Sequence, residues 1–120
     1  MKVTAEKNEK IAKMIFASIY PLYWNRLEKH GRTKEEFHQV IEWLTGFDGD
    51  KLQELIEEKV TFGTFFERAK MHPNAHLIKG VVCGYRIEEI EDEFEVYKQC
   101  RRMEKLIDEL AKGRKMEKIL

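Results

Sequence analysis

Apolar residues recur every three or four positions through most of this chain, the period of a helix face rather than of a half-buried strand. Residues 5–20 place Ile11, Met14, Ile15 and Ile19 on one stripe, and Pro21 then removes an amide from the hydrogen-bond ladder, predicting a kink or restart. Residues 22–30 continue with Tyr23, Trp24 and Leu27 apolar, and Gly31 stands where a left-handed residue ends a helix. Thr33 and Glu36 have capping-box spacing, and Phe37, Val40, Ile41 and Leu44 follow on a regular face that Gly46 closes. Asp50 is the expected cap of the next helix, with Leu52, Leu55 and Ile56 inward. Thr61 caps another, which carries Phe62, Phe65, Phe66 and Ala69 on one face.

From residue 71 the pattern blurs. His72-Pro73-Asn74 reads as a turn, and residues 77–87 set two glycines inside a β-branched run that periodicity alone assigns neither to helix nor to strand. Residues 92–112 restore the period, with Val96, Cys100, Met103, Ile107 and Leu110 at heptad spacing and Gly113 as the stop. The pattern predicts an all-α domain of five or six helices occupying residues 1–120 as one unit. Its spine is the long C-terminal helix, and residues 71–87 are irregular.

Composition narrows the function classes. Hydrophobic residues make up 42% and charged residues 37%, too apolar for a disordered chain and too charged for a membrane protein. Lysine plus arginine balances aspartate plus glutamate at 22 each, so no net field draws the molecule toward nucleic acid or anionic lipid. No apolar run reaches the roughly twenty residues of a bilayer span, and the charged N-terminus lacks a signal-peptide pattern, which points to the cytoplasm. Two cysteines, Cys83 and Cys100, without CxxC spacing read as thiols rather than a bridge, and no cofactor is expected.

Four constellations could carry chemistry. Residues 33–59 have the outline of a helix-turn-helix, but Glu54, Glu57 and Glu58 on the second helix would repel phosphates, which argues against nucleic acid. His72 and His76 are four apart, a spacing that could offer two imidazoles to zinc, although Pro73 lies between them. Cys83, between Gly80 and Gly84 and flanked by Lys79 and Arg86, could be a thiolate at an anion site; the competing reading is a small buried side chain where glycines allow close packing. Tyr20, Tyr23 and Trp24 beside Pro21, with Trp43 and Phe47, could wall a pocket, although core packing is the commoner use of such residues. The acidic run of Glu88, Glu89, Glu91, Asp92 and Glu93 reads as a solvated helix start.

Several strings resemble one family: Phe16-Ala17-Ser18-Ile19-Tyr20-Pro21, Trp43-Leu44-Thr45-Gly46-Phe47, Ile78-Lys79-Gly80-Val81-Val82-Cys83-Gly84, and the run from Leu106 to Gly113. In colinear order they resemble the small bacterial proteins grouped as domain of unknown function twenty-two hundred. The resemblance implies a bacterial, single-domain, cytoplasmic protein and no particular activity. This chain has Glu93 where the family pattern leads one to expect a proline after Ile90-Glu91-Asp92. The leading expectation is therefore a binding or interaction module without catalysis, with a homo-oligomer as one form. The alternative is a small enzyme or small-anion binder built on Lys79, Cys83 and Arg86 with an aromatic wall from Tyr20, Tyr23 or Trp24.

Overall fold

Capping chemistry and helix faces account for most of the elements. The computed structural model describes residues 2–120, in which the helices are α1 (Ala5–Lys13), α2 (Phe16–Lys29), α3 (Lys34–Thr45), α4 (Gly49–Glu57), α5 (Phe62–Arg68), α6 (Glu95–Ala111) and α7 (Met116–Ile119). Strands β1 (Val81–Val82) and β2 (Tyr85–Arg86) form an antiparallel hairpin between α5 and α6, with single 3-10 turns at Ala75–Leu77 and Ile87–Glu89. The fold is mainly helical, with seven helices among the described residues rather than five or six because the terminal turn at Met116–Ile119 also forms. Among the described residues, no helix is long and apolar enough to cross a membrane.

The first break does not fall at Pro21. Met14 and Ile15 are extended, and Pro21 lies inside α2. The cause is tertiary. The Phe16 amide donates to the Val60 carbonyl at 2.9 Å and the Phe62 amide donates to the Met14 carbonyl at 2.8 Å, so residues 14–16 pair with residues 60–62 instead of continuing α1. Helix α2 then runs through Pro21 because Phe16 and Leu27, on either side of it, are both fully buried. Their burial, about 1.5–3 kcal/mol each, offsets the roughly 3 kcal/mol an interior proline costs.

The capping box on α3 is complete: the Glu36 amide donates to Thr33 Oγ1 at 3.2 Å, and the Thr33 amide donates to Glu36 Oε1 at 3.0 Å. Gly46, at φ 78°, ends α3 in the left-handed conformation. Helix α4 starts two residues before the expected position, since Asp48 rather than Asp50 accepts from the Lys51 amide, at 2.8 Å. With Asp48 as cap, buried Phe47 and Leu52 occupy the N′ and N4 positions of a hydrophobic staple; capping at Asp50 would leave Gly49 in the first of these.

The core is aromatic at its centre. Phe16 stacks on Phe65 with centroids 4.2 Å apart and meets Phe62 edge-on at 5.6 Å. Helix α6 is the spine, packing on α1, α2, α3, α5 and β1 through Cys100, Met103, Ile107 and Leu110. It begins at Glu95 rather than Asp92, because Ile90, Phe94 and Tyr97 form a second apolar cluster with Tyr85 that the preceding turn must reach.

Within the open segment 77–87, residues 81–82 and 85–86 form the two short strands, and Leu77 and Ile87 belong to the flanking 3-10 turns. Val82 pairs with Tyr85 across a two-residue loop in which Cys83 (φ 52°) and Gly84 (φ 80°) are both left-handed, the geometry of a type I′ turn. Thr33→Ala removes the α3 cap and is expected to lower the unfolding free energy by about 1 kcal/mol in urea titrations.

Candidate functional site

The structure separates the residues of the alternative anion site, Lys79, Cys83 and Arg86. Cys83, at the exposed hairpin turn, faces α6: Arg101 Nη1 donates to its Sγ at 3.6 Å, and the thiol reaches Glu104 Oε2 at 3.9 Å. Arg86 faces outward on β2, 3.8 Å from Glu88 and 4.0 Å from Glu89. Lys79 precedes the hairpin and lines a different hollow. Cys83 borders a small cavity of about 190 Å³ with Tyr23, Arg26, Glu104 and Asp108. Burial, and then the charge on Glu104, push the Cys83 thiol up in pKa, against the lowering effect of Arg101. Cys100 lies on the other oxygen of the same carboxylate, its Sγ 3.6 Å from Glu104 Oε1, and burial pushes its thiol up as well. Burial, with Glu104 adding to it, thus favours the protonated form of both thiols, the reverse of what an activated nucleophile needs.

The aromatic set is divided too. Tyr20 stacks on Phe37 at 5.1 Å, and its hydroxyl is hydrogen-bonded to His38 Nε2 at 2.5 Å. Trp24 lies parallel to Phe37 at 6.5 Å with Lys34 over its ring, while Phe47 meets Phe65 edge-on in the core. Tyr23 turns toward Cys100 and Glu104, where burial raises its pKa.

Trp43 remains half-buried, off the main stripe of α3. Beyond α3 the Lys70 amide donates to the Thr45 carbonyl at 2.9 Å and the His72 amide donates to the Leu44 carbonyl at 3.0 Å. These bonds satisfy carbonyls that a helix end leaves free, and they lay the His72 ring on the Trp43 indole, centroids 4.0 Å apart and 15° from parallel. His72 Nδ1 accepts from the Asn74 amide at 3.0 Å, and His76 Nδ1 donates to the Pro73 carbonyl at 2.9 Å. The two imidazoles whose spacing could have offered a zinc site, a reading the sequence disfavours, therefore spend their Nδ1 atoms on the turn. Among the described residues, no group of three or more His, Cys, Asp or Glu side chains is placed to hold a metal.

Two hollows meet at Trp43 and Leu120, which line both. One, of about 710 Å³, is bordered by His38, Glu42, Met71, His72 and Pro73. The other, of about 410 Å³, is bordered by Ile78, Lys79, Lys105, Leu106, Arg114 and Lys118. In the sequence Lys79, His72 and Trp43 belong to three separate constellations, and nothing in their spacing shows that they share a groove.

Residues 10–120 match the family described as "Uncharacterized protein conserved in bacteria (DUF2200)". The chain belongs to this family. A solved structure, "Crystal structure of uncharacterized protein SP1917", is 37% identical, with 93% of this chain and 91% of that chain covered and a TM-score of 0.85. The comparison with curated proteins gave no match. Membership thus carries the fold to this chain, and the reading of its site rests on its own geometry.

Within the groove, burial lowers the pKa of His38, with Lys34 adding to the effect and Glu35 opposing it. A histidine depressed in the folded state contributes stability that is complete above its ordinary pKa, about 6.5, and declines as pH falls toward the folded value. Acidifying from about pH 7.5 to about pH 5.5 is therefore expected to lower the urea midpoint, and His38→Gln to flatten that part of the curve. For the thiols, alkylation of the folded protein is expected to reach Cys83 alone, with a rate still rising above about pH 8.5, while Cys100 stays protected. A Cys83 rate that levels off below neutral pH would restore the nucleophile.

Proposed function

We propose that this domain is a non-catalytic binding module whose recognition surface is the groove crossing Trp43. The observation that carries this reading is the stacking of Trp43 on His72 where the two hollows meet. A large aromatic, half-buried, is stacked on a neighbouring ring beside concave surface on both sides. Volumes of about 410 and 710 Å³ suit small organic ligands or a short segment of a partner. The enzyme alternative loses its support because Lys79, Cys83 and Arg86 face different surroundings and Glu104 disfavours the thiolate. A homodimer, the other form of an interaction module, would draw on the exposed apolar side chains of Leu22, Leu77 and Val81. We place the module in the cytoplasm. Two thiols kept apart on one carboxylate suit a reducing compartment.

Anilinonaphthalene sulfonate, an aromatic dye, tests the groove. Titration into the folded chain is expected to shift the indole N–H resonance of Trp43 and leave that of Trp24 in place. Trp43→Leu is expected to weaken dye binding without loss of the folded spectrum. A Trp43 resonance indifferent to the dye would refute the reading.

A further inference from the structure

Resting on the groove reading, we propose that its Lys79 side is a site for a small amphipathic anion: a carboxylate, phosphate or sulfonate whose apolar body lies against Trp43. The walls of the hollow of about 410 Å³ are of two kinds. Ile78, Leu106 and Ile119 continue the apolar surface of Trp43, while Lys79, Lys105, Arg114 and Lys118 bring four cations to the same concavity. One carboxylate, Glu109, lines it as well, and it is already shared: Lys105 Nζ lies 3.0 Å from Oε1 and Arg114 Nε 2.5 Å from Oε2. Lys79 and Lys118 have no ion-pair partner among the described residues.

This local excess stands in a chain whose formal net charge is zero. Cations gathered in a concave wall repel one another, and an anion between them relieves that repulsion, so the arrangement favours an acidic head group over a neutral one. The backbone also places one of these cations. Gly80 has φ 114°, and a Cβ at that position would lie 3.1 Å from Lys105 Cε and 3.3 Å from its Nζ. The glycine next to Lys79 therefore leaves space for the Lys105 ammonium to lie beside the hairpin and pair with Glu109. Apolar wall and cationic rim together match a molecule with an aromatic or aliphatic body and one acidic end.

Two dyes with the same rings separate charge from shape: anilinonaphthalene sulfonate and the uncharged phenylnaphthylamine, each titrated into the full chain and into a Lys79→Glu, Lys118→Glu double variant. Both lysines are exposed, so the variant is expected to keep the wild-type fold. The sulfonate should bind the wild type about tenfold more tightly than the neutral dye, and added salt should weaken it. The double variant should abolish that preference and leave the neutral dye unchanged. If the two dyes bind the wild type equally, or the variant keeps the preference, the anion site is refuted while the groove reading stands. If neither dye moves the Trp43 resonance, the groove reading itself fails and takes this inference with it.

Discussion

The short backbone pairing between residues 14–16 and 60–62 is the constraint on which the rest of the packing depends. Two hydrogen bonds, from Phe16 to Val60 and from Phe62 to Met14, end α1 and set the direction of α2. They also bring Phe16 against Phe62 and Phe65, the centre of the core. Close approach is part of the device: a Cβ at Gly63 would lie 3.2 Å from the Ala12 carbonyl oxygen. With α1 and α5 locked together, α6 can lie across both, and its buried face covers the remaining apolar surface.

Charge is distributed unevenly over this frame. Beside the hairpin turn, Arg101 lies over the Tyr97 ring, 4.6 Å from its centroid, donates to the Tyr97 hydroxyl at 3.0 Å and pairs with Glu104. That cluster pairs its arginine with a carboxylate; Cys100 is buried in the packing, whereas Cys83 stays exposed at the turn rather than buried between its glycines. At the other end of the hairpin the cations around Lys79 outnumber the one acidic side chain among them, Glu109. Two regions a few residues apart in sequence therefore differ in charge balance: one matches its arginine with a carboxylate, and the other keeps an excess of cations.

The groove owes its form to a helix end. Carbonyls left free at the C-terminus of α3 recruit the amides of Lys70 and His72, and the chain that supplies them lays His72 on Trp43. Gly46 makes this possible by turning α3 off in the left-handed conformation, with a Cβ there only 3.4 Å from the Lys70 carbonyl oxygen. The end of α3 and the groove are thus built by the same residues, and Trp43, partly buried against the core, lies stacked on His72.

Local physics was legible in the chain. The capping box at Thr33 and Glu36, the left-handed stops at Gly31 and Gly46, the Thr61 cap and the buried stripe of α6 all depend on residues within a few positions of one another. Such interactions leave a periodic or spaced signature in sequence. What only the tertiary structure decided involves partners far apart in the chain. The break at Met14 and Ile15 needs Val60 and Phe62. The hairpin aims Cys83 at Arg101 and Glu104, turns Arg86 outward and leaves Lys79 to a different wall. The groove needs α3, residues 70–73, Lys105 and the last helix at once. Sequence neighbours such as Lys79, Cys83 and Arg86 looked like one site, but a two-residue turn reverses the chain between them, and each side chain meets the surface that the fold places beside it.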